Sequence, residues 1–299
     1  MTLVAPPMRC SARSEALDEP MPGSVDHRIR WLLVEDRSAW GEKAVRDVLG
    51  ADLEAAAKER GMRLLLVRRR EGDPAADVVR RAFLVDTASG EMAVRSISSL
   101  TELPALLDLP VADFGSRLAD PILLVCTNGR RDACCALRGR ALASALAVDH
   151  AERTWECTHL GGHRFAGNLV CLPDGIVYGR VGPADGPRLA DAYLAGRVDP
   201  GLLRGRSAWP PPAQVAEQAL RRSLGQDGLR EVSLLAVDVQ GGVAVVTLAS
   251  GGVTHRYELL AEAGEPRMIS CRADEPEQPI HWRVVVSPSH DPLQGSTVA

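Results

Sequence analysis

Aromatic side chains are scarce in this chain: Trp, Tyr and Phe together make up 4% of its 299 residues, too few for a surface on which bases stack. An excess of one charge is also lacking. Lys and Arg number 35 against 39 Asp and Glu, a formal net charge of −4, so no global basic field recruits nucleic acid or an anionic membrane. No apolar run approaches the ~18 residues of a membrane span. The opening stretch, MTLVAPPMRCSARSEALDEP, has no basic start followed by an apolar segment, so no secretory signal is expected. A disulfide framework is equally poorly supplied. The seven cysteines are an odd number, and several sit in apolar strand-like runs, which favours a reducing cytoplasm and a metal site.

What is present reads as an ordinary globular protein, 45% hydrophobic and 25% charged, and long enough for two or three small domains. Residues 1–28 read as an irregular lead-in. A strand is expected at Ile29–Val34, helical periodicity over Lys43–Val48 and Leu53–Arg60, and a buried strand at Arg63–Val67. Ala82–Asp86 and Met92–Arg95 then pair as a hairpin, with a short helix at Leu103–Leu109. The same order begins again: strand Ile122–Val125, helix Ala133–Ala147, strand Thr154–Cys157, hairpin Leu169–Leu172 with Ile176–Tyr178, helix Arg188–Leu194. Leu32 and Leu123 lie 91 residues apart, as do Leu64 and Trp155, while Phe83 and Leu169 are 86 apart. Two β-α-β units, each followed by a hairpin and a helix, make an α/β chain of duplicated thioredoxin-like architecture. The expected division is 29–115 for a degenerate first copy, 116–204 for the second, and 205–299 for a small α+β domain with a disordered tail. That last part opens on WPPPAQ and a helix at Gln214–Leu224. Strands are expected at Glu231–Val239, Val243–Leu248, Thr254–Leu260, Arg267–Cys271 and Trp282–Val286.

Chemistry collects in the second copy. Cys126 ends an apolar strand, Asn128-Gly129 opens a loop, and Asp132 is placed to cap the helix that begins Ala133-Cys134-Cys135. A strand end and a helix start therefore present thiols to one point, and a helix N-terminus favours the thiolate. His159 and His163 are four apart, a spacing that suits one face of a helix. Gly161-Gly162 between them would cost a helix about 2 kcal/mol against alanine, so a loop is the better reading. Placed after the central strand, that loop lies beside the Cys126 loop. A Cys₂His₂ set suits zinc or an iron–sulfur cluster, and donor chemistry alone does not separate them. Cys134 and Cys135 project about 100° apart on a helix, so one of them faces such a site.

The stretches CTNGRRDACCALRGR and WECTHLGGHRFAGNLVCLPDGIVYGR together resemble the sucrase/ferredoxin-like family, a branch of the thioredoxin-like ferredoxins. The likeness is specific over residues 121–181 and looser through Trp31–Gly41 and the RGRSAWPPPAQ run. It implies a [2Fe–2S] cluster with Cys126, Cys135, His159 and His163 as ligands, the two histidines standing where related ferredoxins carry C-x₃-C. It also implies that the second of the vicinal cysteines is the ligand. Arg131, Asp132, Gly161, Gly162 and Asn168 are candidates for the surrounding shell. Cys157 and Cys171 read as small buried hydrophobes, and Cys10 belongs to no constellation.

The function expected is one-electron transfer or redox sensing with a redox partner protein, and a carrier rather than a stand-alone enzyme. The alternative is a structural zinc module that binds a partner. Thiol oxidoreduction would want a C-x-x-C, which is absent. Glycoside hydrolysis needs two carboxylates across a sugar site, and no such pair is marked.

Overall fold

In the computed structural model the described residues are 8–69, 79–286 and 290–292. The tail expected to be disordered lies mostly outside them. The first helix, α1 (Cys10–Ala16), falls within the lead-in expected to be irregular. Next come β1 (Arg30–Glu35), α2 (Ala44–Leu49), α3 (Ala51–Glu59), β2 (Arg63–Arg68), β3 (Arg80–Asp86) and β4 (Glu91–Ile97). A 3-10 turn at Leu100–Leu106, α4 (Val111–Phe114) and β5 (Ser116–Arg117) close the first half. The second half is β6 (Ile122–Cys126), α5 (Ala133–His150), β7 (Thr154–Cys157), β8 (Leu169–Leu172), β9 (Ile176–Tyr178), α6 (Asp185–Leu194) and β10 (Leu203–Arg206). Then follow α7 (Pro211–Leu224), β11 (Val232–Gln240), β12 (Val243–Ser250), β13 (Val253–Ala263), β14 (Ile280–Val286) and β15 (His290–Pro292).

The protein is a mixed α/β fold. Ten strands form one sheet in the order β10-β9-β8-β6-β7-β2-β1-β3-β4-β5. Each half repeats one plan: β1 runs parallel to β2 and antiparallel to β3, as β6 runs parallel to β7 and antiparallel to β8. The halves meet where β2 and β7 pair antiparallel through Val67–Cys157 and Arg68–Glu156.

Alternation along the strands divides the core, because successive side chains leave opposite faces. Leu32, Val34, Leu64 and Leu66 turn towards α2 and α3, and Leu123, Val125, Leu169 and Cys171 turn towards α5 and α6. On the other face the two halves pack on each other. Trp31, Leu33, Leu65, Phe83 and Val85 share one apolar cluster with Leu124, Trp155, Cys157, Val170 and Leu172. Phe83 and Trp155 meet edge-on within it, ring centroids 5.3 Å apart.

The C-terminal strands form a five-stranded sheet with α7 packed on it. Pro211 and Pro212 start α7, where their missing N–H groups cost nothing, and Gly225 ends it at φ +66°. Three charges are buried at its foot, with Glu217 accepting from Arg206 at 2.7 Å and from Arg221 at 3.0 Å. The strand expected at Arg267–Cys271 does not form. Arg267 makes an isolated bridge to Glu277, and the segment then turns away because the Asp132 carboxylate accepts from Ser270 Oγ and from the Cys271 N–H.

Candidate metal centre

Cys126 is the last residue of β6, a strand buried along its whole length between β7 and β8. A loop carries the chain to Asp132, whose Oδ1 accepts the Cys134 N–H at 2.9 Å and caps α5. Such a cap is worth about 1 kcal/mol. Helix and strand then approach closely at Gly139, where a Cβ would lie 2.1 Å from the Cys126 carbonyl oxygen. That contact sets the first turn of α5 beside the strand end. Cys135 joins the same cluster as Cys126, whereas Cys134 faces the other way, towards Cys10.

The second loop follows β7. Gly161 and Gly162 take φ of +85° and +67°, a backbone region that favours glycine, and a short 3-10 turn follows at His163–Phe165. The loop is thus not a helix, as the glycine pair requires. The Gly161 N–H points at His159 Nδ1, 3.5 Å away. His163 stacks on His159 with ring centroids 4.2 Å apart and planes 16° from parallel.

Ligand atoms of Cys126, Cys135 and His159 lie within 4.8 Å of one another, a group that could hold a metal ion. His163 stands beside this trio rather than in it. Its ring is buried, and Nδ1 has no hydrogen-bond partner among the described residues. A buried polar nitrogen without a partner costs about 1–3 kcal/mol, a cost that a ligand at this place removes. Burial also pushes the His163 imidazole down to about 4, with His159 adding to it, so the ring is neutral and its lone pair available at neutral pH. Contact with Cys135 and His159 holds the Cys126 thiol well below its ordinary value against the opposing effect of burial. Cys135 is driven the other way, first by the same hydrogen bond and then by burial.

The other candidates take distinct places. Asn168 is buried, donates to the Gly162 carbonyl at 3.1 Å and accepts from Arg204 at 2.8 Å. Arg131 leans outward to Glu42 at 3.3 Å, while its backbone N–H donates to Asn128. Asp132 is fully buried and serves Cys134, Ser270 and Cys271. Cys157 and Cys171 are buried in the sheet, and burial raises both thiols.

Arg204 was not expected. It is 2% exposed, donates to Ser24 Oγ and to the Ser24, Gly161 and Asn168 oxygens, and stacks over Phe165. It therefore props the histidine loop from beneath. Burial lowers it to about 9. The Trp31–Gly41 segment also reaches the site, since Asn128 donates to the Gly41 carbonyl at 3.1 Å. Cys10 and Cys271, expected to be incidental and in a strand, instead lie at Cys134. Half-buried His159 opens on a cleft of about 640 Å³ edged by Lys43, Arg46, Lys58 and Arg63. No helix among the described residues is long and apolar enough to cross a membrane.

The sucrase/ferredoxin-like family model matches residues 21–205. A curated relative from Meyerozyma guilliermondii, altered inheritance of mitochondria protein 32, is 33% identical over 87 residues. The match covers 26% of this chain and 31% of that protein, so the chain spans about a third of the relative's length. No solved structure matches.

Proposed function

The chain belongs to the sucrase/ferredoxin-like family, and on that footing we propose that Cys126, Cys135, His159 and His163 hold a [2Fe–2S] cluster used in one-electron transfer or redox sensing. The observation that carries this reading is the His163 ring, buried with an unpartnered Nδ1 and stacked on His159 beside the cysteine pair. A single tetrahedral ion draws four ligands to one point, whereas a two-iron centre takes them as two pairs. His159 lies close to both thiols while His163 is stacked behind it, so the four side chains do not converge on one ion as they stand.

When bound, the cluster supplies a one-electron couple, and two imidazoles in place of two thiolates raise its potential above the all-cysteine value. The chain's own residues do the rest. Asp132 and Gly139 fix the head of α5 against β6, setting the spacing of the two sulfurs. Asn168 and Arg204 hold the glycine loop that carries the histidines. The apolar cluster behind Cys126 and Cys135 keeps water off their sulfurs. His159 faces the cleft, whose lining carries six cationic side chains against three carboxylates, Asp26, Glu42 and Glu54; an acidic redox partner would dock on that excess.

In this reading residues 116–204 are the thioredoxin-like ligand-bearing unit and 29–115 a degenerate copy of it. Glu35, 91 residues before Cys126, occupies the corresponding strand end and is tied to Arg81 at 2.8 Å. None of the described residues of the appended 205–299 unit belongs to the Cys126, Cys135 and His159 group. A reducing cytoplasm suits the buried thiols.

Zinc at Cys126, Cys135 and His159 is the second reading, favoured by the compactness of that trio. Anaerobic EPR and visible spectra of the full chain beside His159→Cys and His163→Cys decide between them. A cluster gives a coloured protein whose g-values and potential move towards all-cysteine behaviour in both variants. A colourless protein holding zinc at these residues sinks the proposal.

A further inference from the structure

Behind the proposed cluster site lies a second group of metal-ligating side chains that the electron-transfer reading does not use. Cys10 comes from α1, Asp132 and Cys134 from the head of α5, and Cys271 from the loop after β13. The sulfurs of Cys10 and Cys134 are 3.6 Å apart, those of Cys134 and Cys271 3.3 Å, and those of Cys271 and Cys10 3.5 Å. Both Asp132 oxygens stand 3.9 Å from the Cys10 sulfur, and one ligand atom from each of the four residues falls within 4.8 Å of all the others.

These distances describe a small tetrahedron. Zinc–sulfur bonds of about 2.3 Å at tetrahedral angles put sulfurs about 3.8 Å apart, so the observed triangle needs to open by a few tenths of an ångström. A disulfide would require one pair to close to about 2.05 Å and would strand the third thiol. An iron–sulfur cluster spreads its thiolates over several irons, further apart than this. Three soft sulfurs and one carboxylate are a donor set for zinc.

We propose that Cys10, Cys134, Cys271 and Asp132 bind one structural zinc ion, which clamps α1 and the loop between β13 and β14 onto the head of α5. The surroundings are those of a prepared site. Asp132 is oriented by three donors, the N–H groups of Cys134 and Cys271 and the hydroxyl of Ser270. Ser11 Oγ donates to the Cys134 sulfur at 3.2 Å. Cys10, Cys134 and Asp132 are buried, and Cys271 closes the site from outside as an exposed ligand. On binding, each thiol loses its proton to solvent and a zinc–sulfur bond replaces it, with no change in oxidation state. The vicinal cysteines then divide their work, Cys135 facing the redox site and Cys134 the clamp.

The test is zinc and iron content per chain for the full-length protein, purified reduced and anaerobic, beside Cys10→Ser, Cys271→Ser and Cys126→Ser. The proposal expects about one zinc in the wild type and an affinity at least about a hundredfold weaker in the first two variants, with iron unchanged. Cys126→Ser should lose iron and keep zinc, which separates failure of the clamp from failure of the cluster reading. Should either serine variant not fold, cobalt(II) added to metal-free Cys126→Ser, in which the other thiol site is broken, reports directly. Thiolate charge-transfer and intense tetrahedral ligand-field bands support the site, and an octahedral spectrum overturns it. Zinc-free wild type, zinc unaffected by the two serine variants, or a Cys134–Cys271 disulfide in the reduced preparation also overturns it.

Discussion

Replacing Gly139 by alanine tests the geometry that sets the two sulfurs together. An alanine normally favours a helix interior by about 1 kcal/mol over glycine. Here its Cβ would lie 2.1 Å from the Cys126 carbonyl oxygen and 3.5 Å from Thr127 Cγ2. Real Cβ contacts do not fall below 3.0 Å, so helix and strand must part by about 0.9 Å. Neither side yields readily: the obstructing atom is backbone, and β6 is held between β7 and β8. Overpacking of this kind costs about 1–3 kcal/mol, which offsets the helix gain and leaves the metal-free chain up to about 2 kcal/mol less stable. The same displacement carries Cys126 away from Cys135, and an error above about 0.5 Å is large for a ligand set. The expected result is a melting point lowered by a few degrees and iron retention reduced about tenfold or more against a competing chelator. Wild-type iron content together with a higher melting point would refute the close approach, because then only helix propensity would be acting.

Three further outcomes follow from single groups. Arg204→Met removes a buried cation with no carboxylate partner among the described residues, so the reduction potential of the proposed cluster should fall, on the order of tens of millivolts, by anaerobic titration; an unchanged potential would mean the charge does not reach it. Burial pushes Glu19 up, but Arg164 at 2.7 Å and Arg267 at 3.1 Å outweigh it and hold the carboxyl below its usual 4.5, with His281 at 3.9 Å also facing it. Its contribution is complete above about pH 4.5 and disappears as pH falls through the lower folded value. Glu19→Gln should therefore cost about 3–5 kcal/mol near neutrality and show a flatter loss of stability with acid in denaturant melts. Cys157→Ala and Cys171→Ala should keep full iron content and lose about 1 kcal/mol of stability from packing; loss of iron in either would bring that residue into the site.

Much of this was legible in the sequence, for reasons that differ by residue. Strand β6 shows itself as ILLVC and helix α5 by its Asp132 cap, because apolar runs and caps are local. The glycine pair likewise excluded a helix between the histidines on backbone grounds alone. Which vicinal cysteine turns towards Cys126 was not readable from spacing, since the answer depends on where α5 packs. Arg204 sits in a strand that reads LRGR, and nothing local marks it as buried; its partners Ser24 and Asn168 are 180 and 36 residues away. Cys10 and Cys271 were missed for the same reason, being 124 and 137 residues from Cys134. The failed strand at Arg267–Cys271 shows a local β pattern losing to a buried carboxylate with hydrogen bonds to offer.

The shared apolar face between the two half-sheets bears on how portable the ligand-bearing half is. Residues 116–204 carry all four proposed ligands, yet cut from the rest they would turn Trp155, Val170 and Leu172 out to water together with the wall behind Cys126. Grafted into another protein as a redox tag, that piece would bring its chemistry and leave its insulation behind. On the proposed ligation, the first half would serve as a dielectric backing for the half that carries the ligands. Substitutions at Phe83 or Leu33 should accordingly be felt as changes in redox behaviour, in a part of the chain that touches no metal.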